Sequence, residues 1–212
     1  MGIFNNAVTG VILAGGSSRR MGQNKALMRL GTATIIEHVI RRMRAITADV
    51  LLITNPPPLY AHLGLPMQAD IVPNMGTLGG IYTGLTYAAN PSVLCVACDM
   101  PLLQPQLLSY LTSILGEYDA VVPYVEEKGA SAPTFQTLSA VYSKRCLPVI
   151  NQMLAEGELR VHALYDRIAV RRVEPQEWQP FDPQGLSFLN INTPADFEKA
   201  VQMIRWSEEI EK

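Results

Sequence analysis

Apolar runs of strand length alternate with segments of helical periodicity along most of the chain. A short apolar run without polar alternation indicates a strand that is covered on both faces, as in a parallel sheet. Strands are predicted at residues 8–14, 50–53, 71–73, 93–98, 120–125 and 168–173. Each run ends at glycine, proline or polar residues, as expected where a strand meets a loop.

Between these runs, apolar residues recur every three or four positions, which predicts helices. Helices are predicted at residues 35–46, 79–89, 104–115 and 141–154. Pro148 is expected to interrupt or kink the last of these. A final helix is predicted to begin with Thr193 as N-cap and Pro194 in the first position, followed by Asp196 in the first turn.

This alternation predicts an α/β fold, specifically a Rossmann-like, doubly wound and mainly parallel sheet with helices on both faces. We expect a single domain over residues 1–212, with an ordered core at about residues 8–206 and a charged C-terminal tail. Such sheets bind ligands beyond the carboxyl ends of their strands. The segments that follow strands, at residues 15–25, 55–58, 74–80, 99–101 and 190–193, are therefore the candidates for a functional site.

Composition narrows the classes of function. The chain has 212 residues, of which 48% are apolar and 17% charged, which is too apolar for a disordered protein. Its formal net charge of −2 argues against a nucleic-acid coat or a polybasic membrane patch. The sequence also shows no apolar stretch of transmembrane length and no signal-peptide pattern. We expect a cytoplasmic protein with neither nucleic acid nor membrane as a partner.

The three cysteines do not suggest a redox or zinc site. Cys95 and Cys98 form a C-x-x-C, but they lie inside the apolar run 93–98, where residues three apart point to opposite faces of a strand. With Cys146 the number is odd, which argues against a disulfide framework. Buried strand thiols are predicted.

The loop after the first strand combines glycines with cations. Gly15 and Gly16 are followed by Arg19, Arg20 and Lys25 in a chain that is net acidic. Adjacent glycines let a ligand approach the backbone, and phosphate oxygens would offset the repulsion among the cations. A glycine-rich turn with solvated charges fits the composition equally well. The spacing matches neither a Walker A loop nor a Rossmann dinucleotide fingerprint.

Residues 13–26 read LAGGSSRRMGQNKA. They resemble the signature L-A-G-G-x-S-x-R-M-G-x-x-K-A of the nucleotidyltransferases that modify molybdenum cofactor, and most closely that of the MobA-type guanylyltransferases. The resemblance continues in LGGI at residues 78–81, CDMP at 98–101, PT at 133–134, EG at 156–157, RV at 160–161 and NINTP at 190–194. These marks cover nearly the whole chain.

The resemblance implies a magnesium-dependent enzyme that transfers GMP from GTP to the phosphate of molybdopterin or Mo-molybdopterin. The products would be the molybdopterin guanine dinucleotide cofactor and pyrophosphate. GTP and molybdopterin are the implied partners, with transient contacts to cofactor-delivery or acceptor proteins. The alternatives are a CTP-dependent molybdenum cofactor cytidylyltransferase, another small-molecule nucleotidyltransferase, and a nucleotide-binding sensor without catalytic activity.

The family's site residues map onto this sequence one by one. Lys25, Asp99 and Arg20 would be catalytic, and Asp99 would hold Mg²⁺. The implied nucleotide-binding residues are Leu13, Ala14, Gly15, Gly16, Arg19, Lys25, Asn55, Asp70 and Asp99. Asn190 and Asn192 would bind the pterin substrate.

The residues themselves support some of these roles independently. Asp99 follows a buried apolar strand, where a carboxylate is costly unless it is paired or binds a metal, although it could instead cap the next helix. Asn190 and Asn192 are predicted to alternate on a strand and to face the same side, or else to form a turn before Thr193. Asn55 precedes three prolines, so a turn is an alternative there too.

The sequence departs from the family pattern in three places. Thr77 stands where the family has proline, and the loop before it is short. The family's nucleotide-contacting aspartate therefore corresponds to Asp70 or is replaced by Asn74. Ala132 replaces a histidine. These differences concern nucleotide selectivity and pterin contacts more than the type of reaction.

Overall fold

The computed structural model describes residues 8–15, 24–125 and 134–210, with side chains as far as residue 204. The strands are β1 (Val8–Leu13), β2 (Arg29–Leu30), β3 (Ala33–Thr34), β4 (Val50–Ile53), β5 (Met67–Gln68), β6 (Ser92–Ala97), β7 (Ala120–Val125), β8 (Thr134–Phe135), β9 (Ala140–Ser143) and β10 (Val170–Val173). The α-helices are α1 (Ile35–Arg44), α2 (Gly76–Tyr87), α3 (Pro105–Ser113), α4 (Leu147–Glu156), α5 (Val161–Leu164), α6 (Pro175–Trp178) and α7 (Pro194–Ile210). Within these ranges no helix is long and apolar enough to cross a bilayer.

The central sheet has eight strands in the order β10-β7-β9-β6-β1-β4-β5, with β8 paired to β7 off this path. Strand β1 runs parallel to both β4 and β6, and the β4–β5 and β7–β10 pairs are parallel as well. Strand β9 lies antiparallel between β6 and β7. The prediction of a mainly parallel, doubly wound sheet is confirmed.

Helices cover both faces of this sheet because successive strand residues point to opposite sides. Ile12 of β1 belongs to a buried cluster with residues of α1 and α3. Its neighbour Val11 belongs to a second cluster with residues of α2 and α4. Full burial of one such side chain contributes roughly 1.5–3 kcal/mol. A third, smaller cluster lies beneath α7 and includes Leu30 and Ile191.

Two predicted elements are wrong. Residues 141–154 do not form one helix, because Ala140–Ser143 is the strand β9 and the helix begins only at Leu147, with Pro148 in its first turn. Proline is tolerated there because its missing N–H would have no intrahelical partner. Residues 71–73 form turns rather than a strand, and Ile71 is 41% exposed. The short strand Met67–Gln68 pairs with β4 instead.

Glycines let α2 pack closely on β1. A Cβ atom added at Gly80 would lie 3.1 Å from Leu13 Cδ1, and one at Gly84 would lie 2.7 Å from Val11 Cγ1. The second distance is shorter than van der Waals contact allows, so the helix can approach the strand only without that side chain. This approach brings the first turn of α2 to the carboxyl end of β1.

Substitution of Gly84 by alanine is therefore expected to destabilise the fold. Overpacking of a close-packed core costs about 1–3 kcal/mol, and alanine's better helix propensity returns up to about 1 kcal/mol. We expect a net loss of about 1–2 kcal/mol in urea unfolding. In a Val11→Ala background, which removes the clashing methyls, the same substitution should be neutral or stabilising. Equal stability of Gly84→Ala and the parent would contradict the close approach.

Candidate active site

A cavity of about 620 Å³ opens at the carboxyl edge of the three adjacent strands β6, β1 and β4, beside the first turn of α2. The predicted site residues among its lining are Leu13, Ala14, Gly15, Lys25, Asn55, Asp70, Asp99 and Asn190. Asn74 and Thr77 line it as well. Asp70 and Asn74, the two candidates for the position of the family's nucleotide-contacting aspartate, therefore both lie at this cavity. Gly16, Arg19 and Arg20 lie outside the described residues, and their predicted roles stay predictions.

Asn190 lines the cavity and Asn192 does not. Residues 190–192 form no strand, which overturns the predicted alternation. The Ile191 N–H donates to the Asp99 carbonyl (3.0 Å), whereas the Asn192 N–H donates to Asp196 Oδ2 (3.0 Å) as part of the N-terminal cap of α7. The chain is already turning into the helix at Asn192, which is exposed and is not among the described residues that line the cavity.

Asp99 is a half-buried carboxylate that lines this cavity. Its Oδ1 atom is buried and has no hydrogen-bond partner in the part of the chain that the structure describes. Burial raises the pKa of Asp99, and a hydrogen bond from its own backbone N–H and the positive charge of Lys25 oppose that rise. A buried carboxylate oxygen without a donor is unfavourable unless a cation or a ligand donor occupies the position beside it.

Lys25 is placed by a capped turn. Asn24 Oδ1 accepts a hydrogen bond from the Ala26 N–H (3.1 Å) and caps the short 3₁₀ helix Lys25–Leu27. The lysine Nζ then donates to the main-chain carbonyl of Asn192 (2.9 Å). The Lys25 side chain therefore connects the segment after β1 with the segment before α7.

Asn55 and Asp70 form a mutual pair on the other side of β1. Asn55 Nδ2 donates to Asp70 Oδ2 (2.9 Å), and the Asp70 N–H donates to Asn55 Oδ1 (3.1 Å). Asp70 Oδ1 is buried and has no hydrogen-bond partner among the residues described. Gly15 lies beside the pair, since a Cβ added there would be 3.5 Å from Asp70 Oδ2. The pair offers an acceptor to a ligand that rests against Gly15.

The donor set suits a divalent cation that is shared with a ligand. Within the described ranges, no group of three or more His, Cys, Asp or Glu residues could hold a metal ion. Mg²⁺ is commonly held by one or two carboxylates together with substrate phosphates and water. Asp99 Oδ1, which has no partner within the described ranges, fits that mode of binding.

Several lining residues were not predicted. Asn24, Tyr60, Cys98 and Leu138 all contribute to the cavity wall. Tyr60 follows a proline-rich segment, which the sequence analysis interprets only as a turn. A single aromatic residue soon after such a segment is the signal that could have indicated it. The prediction of a buried strand thiol is wrong for Cys98, because β6 ends at Ala97 and Cys98 lies half-buried in the turn that follows. Burial still raises the pKa of its thiol to about 12, so the thiol is protonated at neutral pH.

The sequence matches one family model and relatives that cover almost its whole length. Residues 10–172 match the model of the MobA-like NTP transferase domain. A relative from Carboxydothermus hydrogenoformans, named probable molybdenum cofactor guanylyltransferase, is 38% identical over 95% of this chain and 98% of its own. A relative from Desulfosudis oleivorans, named molybdenum cofactor guanylyltransferase, is 36% identical over 94% of this chain and 97% of its own.

Solved structures share the fold. The molybdopterin-guanine dinucleotide biosynthesis protein A of Archaeoglobus fulgidus superposes with a TM-score of 0.78 at 23% identity, covering 93% of this chain and 98% of its own. A 4-diphosphocytidyl-2C-methyl-D-erythritol synthase from Anaerococcus prevotii superposes with a TM-score of 0.70 at 15% identity, covering 94% and 96%. At these identities the likeness concerns architecture alone. On the match of its sequence, the chain belongs to the MobA-like NTP transferase family.

Proposed function

We propose that this chain transfers GMP from GTP to the phosphate of molybdopterin or Mo-molybdopterin, forming the guanine dinucleotide cofactor and releasing pyrophosphate. The observation that carries the proposal is the cavity at the carboxyl edge of the sheet, which Lys25 and Asp99 line and where Asp99 Oδ1 has no hydrogen-bond partner among the described residues. The names of the relatives that match nearly the whole chain at 36% and 38% identity support the choice of substrates.

In this proposal a phosphate oxygen of molybdopterin attacks the α-phosphorus of GTP, and the bond to the β-phosphate oxygen breaks. Positioning and neutralisation of charge are the main tasks of a protein in such transfers. Lys25, together with Arg19 and Arg20, would bind the triphosphate. Asp99 would hold Mg²⁺, which when bound neutralises charge on the phosphate oxygens.

The two ends of the cavity would then serve different parts of the substrates. Backbone groups of residues 13–15 and the Asn55–Asp70 pair would hold the nucleoside, because Asp70 Oδ1 is an acceptor without a partner in the described chain. Asn190 lies at the wall formed by the C-terminal segment and would face the pterin phosphate. Asn192 contributes through its main-chain carbonyl on Lys25.

Pyrophosphate release tests the proposal directly. With GTP, Mg²⁺ and molybdopterin present, we expect pyrophosphate and the guanine dinucleotide to form in equal amounts. Binding of GTP without turnover would indicate a nucleotide sensor, and turnover with CTP alone would indicate a cytidylyltransferase. We place this reaction in the cytoplasm, and contacts with cofactor-delivery or acceptor proteins stay a prediction.

The nucleotide preference should depend on Gly15. A methyl group there would be in ordinary contact with Asp70 Oδ2 (3.5 Å) and Asn55 Nδ2 (3.9 Å), so the fold tolerates it but the nucleoside loses space. Loss of one base hydrogen bond costs about 1–3 kcal/mol, which corresponds to about five- to over a hundredfold discrimination. We expect kcat/KM for GTP to exceed that for CTP by this factor, and Gly15→Ala to reduce the ratio.

The control for this comparison is the thermal stability of Gly15→Ala, which should equal that of the parent. Equal kcat/KM values for GTP and CTP in the parent would overturn the guanylyl assignment. An unchanged ratio in the variant would mean that Gly15 has no part in base selection.

A further inference from the structure

Tyr60 connects two parts of the cavity that are far apart in sequence. It lies in the 3₁₀ helix Pro57–Leu63, which follows β4, and only 1% of its surface is exposed. Its hydroxyl oxygen accepts a hydrogen bond from Asn24 Nδ2 (2.8 Å). The ring lines the cavity beside Cys98 and Asn24. A buried tyrosine on the segment after β4 is thus bonded to the residue directly before Lys25.

The Ala26 N–H sets the orientation of the Asn24 amide, and the Tyr60 hydroxyl binds its other end. The Asn24 Oδ1 atom caps the turn by accepting from the Ala26 N–H (3.1 Å), while its Nδ2 atom donates to Tyr60. If the amide turned over, its NH₂ group would face the Ala26 N–H and the cap would be lost. The Tyr60 hydroxyl accepts from the NH₂ group that this orientation presents, and so holds the Asn24 side chain where it closes the Lys25–Leu27 turn.

We propose that Tyr60 is a positioning residue, whose hydroxyl acts through Asn24 to hold the turn that directs Lys25 at the triphosphate. The inference rests on the proposed function, because it requires Lys25 to bind phosphate. Tyr60 stands on the segment that follows Asn55, so it also joins the nucleoside side of the cavity to the phosphate side. The two sides are then held in a fixed relative position before a nucleotide binds to both.

Tyr60→Phe tests the role of the hydroxyl while the ring stays in the core. Loss of one neutral hydrogen bond predicts GTP binding that is about two- to tenfold weaker by calorimetry, with a similar fall in kcat/KM. Asn24→Ala should reproduce this loss, and the double variant should lose little more than either single variant. Tyr142→Phe is the matched control, since this buried hydroxyl bonds to the Thr137 carbonyl and to Tyr165, none of these three residues lines the cavity, and GTP affinity should be unchanged.

The decisive measurement repeats Tyr60→Phe in a Lys25→Ala background. If Tyr60 acts through Lys25, its removal causes no further loss of GTP affinity there. The same two- to tenfold loss in both backgrounds would overturn the proposal, because it would assign Tyr60 to the nucleoside or to packing alone. Unchanged affinity in Tyr60→Phe would overturn it as well. Unchanged affinity in Lys25→Ala alone would instead contradict the proposed function of the lysine.

Discussion

Replacement of Asp99 by asparagine is expected to abolish magnesium-dependent turnover and to make the ligand-free protein more stable. Both effects have one cause, because the buried Oδ1 atom has no partner among the described residues. The buried carboxylate destabilises the folded protein when no ligand is bound, and it contributes to turnover only by binding a cation. Asparagine is neutral and has nearly the same shape, so it removes both the destabilisation by the buried charge and the metal ligand.

The expected sizes follow from the charge that is lost. A metal ion supplies several kcal/mol of charge stabilisation in the transition state, so kcat/KM should fall by at least about a hundredfold. A gain of about 1 kcal/mol in the free energy of unfolding raises Tm by about 2–4 °C in a chain of this size. Pyrophosphate release and thermal unfolding measure the two effects. Mg²⁺ with GTP should raise the Tm of the parent more than that of Asp99→Asn.

The stability difference should also depend on pH. Burial raises the pKa of Asp99 in the folded state, so the ionised form opposes folding above that pKa. Below the ordinary pKa of an aspartate both states bind the proton and the penalty disappears. The Tm values of parent and Asp99→Asn should therefore differ at neutral pH and converge in acid.

The control for Asp99 is Asp166→Asn, which changes an exposed aspartate that precedes β10 at the opposite edge of the sheet. It should leave turnover and Tm unchanged. Magnesium-dependent pyrophosphate release near the parent rate in Asp99→Asn would show that the metal is held elsewhere. Lower stability of Asp99→Asn at neutral pH would mean that the carboxylate has a stabilising partner in the folded chain.

The parallel part of the sheet could be predicted because its strands are covered on both faces and are therefore continuously apolar. Strands β1, β4, β6 and β7 were found in this way. Strand β9 was assigned to a helix because a short apolar run is the same in a strand and in a buried helix segment, and an amphipathic helix follows it directly. Strand β5 has two residues, Met67 and Gln68, and only its pairing with β4 defines it.

The site was predictable where it depends on strand ends. Gly15, Asn55 and Asp99 each follow a parallel strand, and the carboxyl ends of neighbouring parallel strands meet at one edge. The sequence does not predict Tyr60, because its burial depends on the 3₁₀ helix Pro57–Leu63 that the proline-rich segment forms after β4. The predicted position of Asn192 is wrong because its N–H donates to Asp196 Oδ2 in the N-terminal cap of α7. An alternating sequence pattern does not reveal that a side chain competes for this backbone group.

Replacement of Lys25 by alanine is expected to weaken GTP binding by about ten- to over a hundredfold. Hydrogen bonds to charged groups contribute about 1.5–3 kcal/mol each, and Lys25 lines the cavity close enough to Asp99 for its charge to act on that carboxylate. The free energy of unfolding should change by no more than about 1 kcal/mol. The only described hydrogen bond of Nζ is the one to the Asn192 carbonyl, at 2.9 Å. Calorimetry with GTP and urea unfolding give the two quantities.

Lys144→Ala is the matched control, because Lys144 Nζ also donates to a main-chain carbonyl, that of Ala88 (2.6 Å). That bond lies near the amino end of β6, at the edge of the sheet away from the cavity, since the Lys144 N–H donates to the Pro91 carbonyl. The two variants should thus lose similar stability, whereas only Lys25→Ala should lose GTP affinity. Equal GTP affinity in both would remove Lys25 from the triphosphate site. A large loss of stability in Lys25→Ala alone would make the contact with Asn192 its main role.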